Sequence, residues 1–409
     1  MPVLTNIGAL ARCVRSAPAG DAGVVEGAAL VWDGATIRWA GPAADLPGEF
    51  SGWPSEDAGG RLVVPGLVDC HTHLAFAGWR SDEFALRLMG ATYLDIAAAG
   101  GGIASTVAKT RAASSEYLTA RCRAHLAEMA SLGVTTVEAK SGYGLNVEHE
   151  LRLLGIYRSL ATGPQRILGT LLAAHVIPPE YRDRRSEYVD LIEQELIPRV
   201  AREGLARFCD VFVEESAFTV EEARRILLAG KRHGLAPKLH ADQLTSGGGG
   251  ELAAEVGAAS ADHLERISEA GIRAMAAAGV VAVSLPFASL YLGVMPLPAR
   301  RLLNAGVPVA VATDFNPGSA PSYHLPVAMT LACTMQRMTP AEALRGATVV
   351  AARALQLDWE IGSLEPGKSA DFAVIDSDSV DHWLYHLRPN ACVRTVAKGR
   401  DIWRSAPVS

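Results

Sequence analysis

Val63-Val64-Pro65-Gly66-Leu67-Val68-Asp69-Cys70-His71-Thr72-His73 reads as an apolar strand that closes on two histidines one residue apart. Side chains alternate faces along a strand, so His71 and His73 point the same way. Two imidazoles on one face, at the end of a buried strand, can share a metal ion. The plainer reading is two polar residues in a strand-to-loop turn. It weakens once matching ligands recur downstream.

Outward from this stretch the chain alternates between strand and helix patterns. A loop holding Arg80 and Asp82-Glu83-Phe84 comes first, then a flexible Gly100-Gly101-Gly102-Ile103 run and a helical pattern over about 105–132. β-Branched Val134–Lys140 is the second strand, leading into Ser141-Gly142-Tyr143-Gly144. Strands follow at Arg166–Ala174 before His175, Phe208–Val213 before Glu214, and Leu235–Leu239 before His240. Three more run over Ala258–Ala261 before Asp262-His263, Val280–Leu285, and Val307–Ala312 before Thr313-Asp314. Helical patterns separate most of them. Eight such units predict an α/β fold of the (β/α)8 TIM-barrel type. In such barrels catalytic residues sit at the C-terminal strand ends. His71, His73, His175, His240, His263 and Asp314 all fall there, a placement that chance explains poorly.

Both ends of the chain look different. Ala28–Trp32 and Thr36–Ala40 flank the turn Asp33-Gly34-Ala35 and read as a hairpin. Phe372–Asp376 and Val393–Lys398 read as strands after a turn-rich segment that begins at Gly362. Neither end can build a core alone. The expected organisation is therefore a barrel over 63–361 with a small β-sandwich domain formed by both termini, 1–62 and 362–409. At 409 residues the chain has room for both, since such barrels take about 250.

Composition narrows the partners. Apolar residues make up 49% and charged residues 20%, ordinary for a globular protein. A net charge of −6 leaves no basic footprint, so no nucleic-acid partner is expected. The apolar run Val280–Leu292 is broken by Ser284, Pro286 and Ser289 and is too short to span a bilayer, so no membrane partner is expected either. Six scattered cysteines without a CxxC pair, and no signal-peptide pattern at the Met1 end, predict a cytoplasmic setting. Ser246–Gly250 is glycine-rich but lacks a following GK[ST], so it is not a phosphate loop.

Three imidazoles (His71, His73, His240) and the carboxylate of Asp314 suit Zn²⁺ or iron better than Mg²⁺ or Ca²⁺, which prefer oxygen shells. Water on such an ion becomes hydroxide near neutral pH. Asp314 could also take the attacking water's proton, and His263 could polarise a carbonyl. His175 faces the same mouth, and either substrate contact or a core role fits it. Arg80 could hold a substrate carboxylate or lie on the surface. Tyr143, between two glycines, could donate its hydroxyl into the pocket or simply pack. Strand 4 ends in Phe212-Val213-Glu214-Glu215, without a lysine to bridge two metals, and Lys140 lies at the wrong strand. One metal is expected.

The HxH strand, the Ala261-Asp262-His263 and Thr313-Asp314 strand ends and the tail Gly362–Asp376 resemble the amidohydrolase superfamily. His71–Leu74 with Arg80, Lys140–Leu145, Ser260–Glu265 and Thr313–Ser319 narrow the resemblance to its members that open 4-imidazolone-5-propanoate with water, giving N-formimidoyl-L-glutamate in histidine degradation. The resemblance spans essentially the whole chain. It implies attack by a metal-bound hydroxide, with His71, His73, His240 and Asp314 holding one Zn²⁺ or Fe²⁺/Fe³⁺ ion per chain. It also implies Arg80, Tyr143 and His175 around a small substrate with one carboxylate, and Asn316, Gly318 and Ser319 binding substrate or product. A homodimer is common among such barrels and is expected here. Gln243 stands where relatives often carry a glutamate. An amide takes up no proton near neutral pH, so Gln243 orients the ring while Asp314 and His263 handle protons. Two readings compete: an ammonia-releasing purine or pyrimidine aminohydrolase, with less use for Arg80, and a non-catalytic barrel, which would be expected to have lost metal ligands.

Overall fold

The opening stretch divides between two sheets. In the computed structural model, which describes residues 2–90 and 101–406, Leu62–Pro65 pairs with strands from both ends of the chain. Only Leu67–Thr72 enters the barrel. Gly66 is the pivot: a side chain there would strike Thr135, and its N–H donates to Asp371 O at 2.8 Å. Pro65-Gly66 interrupts the apolar run at this point, a turn signal that a reading of Val63–His73 as one strand passes over.

In chain order the strands are β1 (Val3–Ala11), β2 (Val24–Asp33), β3 (Thr36–Pro42), β4 (Ser55–Asp57), β5 (Leu62–Pro65), β6 (Leu67–Thr72), β7 (Val134–Lys140) and β8 (Arg166–Ala174). They continue as β9 (Phe208–Val213), β10 (Ala236–Ala241), β11 (Ser260–His263), β12 (Val281–Ser284), β13 (Val309–Val311), β14 (Phe372–Ile375), β15 (Cys392–Ala397) and β16 (Arg400–Arg404). Strands β6 to β13 lie side by side in sequence order, every pair parallel. The first and last meet just beyond their ends, where Asp314 N–H donates to His71 O at 3.0 Å and His73 N–H to Phe315 O at 2.9 Å. This is the expected (β/α)8 barrel, and its closing seam carries three candidate ligands.

Between the strands run helices with legible starts. Asn146 caps Val147–Leu160 by accepting the His149 N–H at 2.9 Å. Thr219 and Glu222 form a reciprocal capping box at the head of Val220–Arg232. The helical pattern over 105–132 is two helices, Ile103–Ala112 and Ser115–Ser131, because Ser114 leaves the helical path to cap the second. Asp82-Glu83-Phe84, expected in a loop, lie on the helix Ser81–Leu88. Of the glycine run expected to be flexible, Gly100 lies outside the described residues, and Gly102 caps the next helix with φ 70°.

The termini build one mixed eight-stranded sheet in the order β16-β15-β14-β5-β1-β2-β3, with β4 beside β1. Its core packs Leu4, Leu10, Leu30, Val63 and Val396 around Trp32 and Phe372, whose rings meet edge to face at 5.0 Å. Among the described residues, no helix is long and apolar enough to cross a membrane.

Candidate active site

Alternate residues of the barrel strands face inward, and here many of them are charged. Asp69 and His71 on β6, Glu138 and Lys140 on β7, Lys238 and His240 on β10, and Ser260 and Asp262 on β11 are all buried. The histidines occupy the top of this column. His71 Nδ1–H donates to Asp262 Oδ2 at 2.6 Å, and His240 Nδ1–H to Asp210 Oδ1 at 3.1 Å. Each carboxylate fixes a tautomer and leaves the Nε2 lone pair pointing into the mouth.

Those lone pairs converge. His240 Nε2 lies 3.5 Å from His73 Nε2, and Asp314 Oδ1 lies 3.3 Å from His71 Nε2 and 3.4 Å from His73 Nε2. His71 Nε2 is buried yet makes no hydrogen bond. Donor atoms of His71, His73 and His240 fall within 4.8 Å of one another, as do those of His71, His263 and Asp314. Inward-facing lone pairs and a carboxylate repel unless a cation sits among them, and nitrogen with oxygen donors fits Zn²⁺ or iron. Electrostatics point the same way. Burial opposes charge on His71, but Asp262 and Asp314 hold its pKa above the ordinary imidazole value. Burial would raise the Asp314 pKa, yet the imidazoles of His71 and His73 beside it keep it well below the usual carboxylate range. Burial lowers His73 and, further, His240.

Above the imidazoles opens a cavity of about 320 Å³. Tyr143, His175, Phe212, Gln243, His263, Asn316, Gly318 and Ser319 line it, with Arg80, Glu83 and Arg87 from the Ser81–Leu88 side. His175 stacks on His73 at 5.2 Å, its Nδ1–H donating to Gly142 O at 3.1 Å. Burial drops its pKa to about 3, so the ring is neutral at physiological pH. His263 Nδ1 stands 3.7 Å from Glu265 Oε1. Arg80 lies against Gly318, where any side chain would collide with the guanidinium. Its Nε is buried without a partner, and among the described residues no carboxylate forms an ion pair with it. Asn316 is engaged in shaping this wall: its Oδ1 accepts the N–H groups of Gly318 (2.8 Å) and Ser319 (2.9 Å).

Comparison with known proteins adds to this geometry. Residues 62–402 match the Amidohydrolase family. The imidazolonepropionase of Geobacillus thermodenitrificans is 51% identical over 345 residues, covering 84% of this chain and 81% of that protein. That of Myxococcus xanthus is 54% identical over 333 residues, 81% and 79% of the two chains. That of Anaeromyxobacter dehalogenans is 48% identical over 395 residues, 95% and 93%. The chain belongs to the imidazolonepropionase family. Solved structures extend the likeness in fold alone. 5-Methylcytosine deaminase from Klebsiella pneumoniae superposes with a TM-score of 0.75 at 16% identity, over 100% of this chain and 98% of that one. Atrazine chlorohydrolase from Arthrobacter aurescens TC1, complexed with zinc, gives 0.71 at 16% identity, over 98% and 95%.

In this imidazolonepropionase-family chain all the residues singled out from sequence meet around one cavity, apart from His71, which lies at its floor behind His73 and Asp314. Reading the sequence missed what lies beneath them: Glu138, Lys140, Asp210, Lys238 and Asp262. The available signal was charge at alternate positions inside β-branched strands, in register with the histidines. It missed Glu150 as well. This buried carboxylate accepts N–H groups of Gly142 (3.1 Å), Gly144 (2.8 Å) and Leu145 (2.8 Å), and so shapes the turn presenting Tyr143.

Proposed function

We propose that this chain hydrolyses the lactam C–N bond of 4-imidazolone-5-propanoate to N-formimidoyl-L-glutamate, with one zinc or iron ion held by His71, His73, His240 and Asp314. When bound, that ion supplies Lewis acidity and makes water a nucleophile at neutral pH. Water adds across the C–N bond: oxygen goes to the carbonyl carbon, which ends as a carboxylate, and a proton goes to the leaving ring nitrogen. Asp314 takes the proton from the attacking water and returns it to that nitrogen. His263 steadies the oxyanion as the carbonyl becomes tetrahedral. Arg80 holds the propionate carboxylate, which fixes the ring between Tyr143 and His175. Gln243 orients the ring through its amide. Asn316, Gly318 and Ser319 build the wall on which Arg80 lies.

One observation carries the choice of substrate: the Arg80 guanidinium faces the same cavity as the imidazole cluster with no carboxylate partner among the described residues. A purine or pyrimidine ring brings no carboxylate to satisfy it. The relatives named imidazolonepropionase, 48–54% identical, support the same reading. The test is hydrolysis of freshly generated imidazolonepropionate, followed by loss of its ultraviolet absorbance. Loss should stop with chelator and return with one equivalent of metal. No loss at full metal occupancy, or ammonia release from cytosine or guanine instead, would overturn the proposal.

A further inference from the structure

Beneath the imidazoles, one ammonium holds three carboxylates. Lys140 Nζ lies 2.7 Å from Asp210 Oδ2, 2.9 Å from Glu138 Oε1 and 3.3 Å from Asp262 Oδ2, and every one of these side chains is fully buried. The Lys140 N–H groups donate to Asp210 and Glu138, and Asp262 is held as an ion pair. Two of the three are the carboxylates that accept Nδ1–H from His240 and His71. A second buried lysine, Lys238, serves a different part of the cluster. Its Nζ donates to Glu138 Oε2 at 2.5 Å and to Cys70 O at 3.3 Å, and it forms an ion pair with Glu138 but with neither Asp210 nor Asp262.

We propose that Lys140 is a positioning residue: by tying Asp210 to Asp262 it fixes the rings of His240 and His71 together, so that both Nε2 atoms aim at one point. Without that tie Asp210 keeps its bond to His240, and Asp262 keeps those to His71 and to the Ser260 hydroxyl at 2.6 Å, but nothing fixes one aspartate relative to the other. The two imidazoles then lose their common aim, and the Nδ1–H tautomer of each is held less firmly. Lys140 does not line the cavity and its ammonium makes no hydrogen bond to a histidine, so beyond the field of its charge it acts through the two carboxylates. The inference rests on His71, His73 and His240 holding a metal, and not on which substrate the cavity takes.

Charge alone predicts the opposite effect, which makes the test sharp. Three carboxylates against two ammoniums leave the cluster one negative charge in excess. Removing either lysine makes it more negative and, by Coulomb attraction alone, a better seat for a cation. The measurement is Zn²⁺ affinity of the apo full-length chain by competition with a chromophoric chelator, for Lys140→Met and Lys238→Met. These variants change charge equally and differ only in which carboxylates they release. Lys140→Met should bind Zn²⁺ about 10- to 100-fold more weakly, the usual cost of removing support behind a ligand. Lys238→Met should bind as tightly as the parent or more tightly. Nitrogen-15 spectra of the apo protein should show the His71 and His240 tautomers fixed in the parent and in Lys238→Met, but mixed in Lys140→Met.

If Lys140→Met fails to fold, Lys140→Met with Glu138→Gln restores the charge balance, and the same loss of affinity is expected in that folded variant. Affinity retained in either Lys140 variant, or equal weakening in Lys238→Met, would overturn the proposal. None of these readouts needs a substrate, so they stand or fall apart from the assigned reaction.

Discussion

Arg80 carries the most selective chemistry of any single residue here. Its guanidinium is always charged, partly desolvated, packed on Gly318 and without an ion pair among the described residues. A hydrogen bond to a charged group contributes about 1.5–3 kcal/mol, or roughly 10- to 100-fold in affinity. Arg80→Met should therefore raise KM by about that factor while kcat falls much less. Steady-state kinetics check this; a KM within threefold of the parent would mean another group holds the carboxylate. The backbone around the site is unusual too. Asp242, His263, Leu264 and Asp314 take φ values of 48°, 76°, 67° and 56°, in the left-handed region that non-glycine residues avoid. Two of these, His263 and Asp314, carry the proposed oxyanion and proton roles. Closure of the barrel holds Asp314 in place, through its N–H to His71 O.

At the scale of elements, the turn Ser141–Leu145 shows how a short motif is made rigid. Gly142 has φ 103°, and a side chain there would strike His175 Nδ1 and Leu172 O at 2.9 Å. The Glu150 carboxylate, one turn into the next helix, gathers the N–H groups of Gly142, Gly144 and Leu145. An amide in its place offers one acceptor oxygen and turns an NH₂ toward N–H donors. Glu150→Gln should lower stability by about 1–3 kcal/mol and reduce kcat/KM through a loosened Tyr143. Denaturant unfolding and kinetics measure the two effects. Full activity with an unchanged unfolding midpoint would show that the turn holds itself.

At the scale of the whole molecule, His125 joins segments far apart in sequence. From the helix Ser115–Ser131 its ring packs on Phe76 beyond β6 at 5.8 Å, and on Phe315 and Tyr323 beyond β13 at 4.9 and 5.9 Å. Burial, helped by Arg121, lowers its pKa to about 4. The unfolded chain therefore takes up this proton first as pH falls below about 6.5. Stability drops from there down to about pH 4, by at most about 1.4 kcal/mol per pH unit, and His125 adds no further loss below that. His125→Phe should remove this part of the acid sensitivity. Between pH 7.5 and 5 the parent apo protein should lose about 1–2 kcal/mol more than the variant, read from denaturant midpoints. Equal losses would mean that His125 is protonated within the fold.

Sequence by itself determined the period of the barrel, because apolar strands and amphipathic helices are local patterns. The bounds of β7, β8 and β9 could be read directly from runs of β-branched and apolar residues. It also marked out the candidate site residues: His71 and His73 share a face by strand geometry, and His240, His263 and Asp314 sit at strand ends. What it left open needed contacts across the chain. The run Val63–His73 changes sheet at Gly66 because Thr135 and Asp371, distant in sequence, meet it there. Lys140 looked misplaced for metal chemistry when strand 2 was considered alone. Only closure of the barrel brings it against Asp210 and Asp262, so its role belongs to the tertiary structure. Pairing of buried charges depends on which strands become neighbours, and no local pattern encodes that.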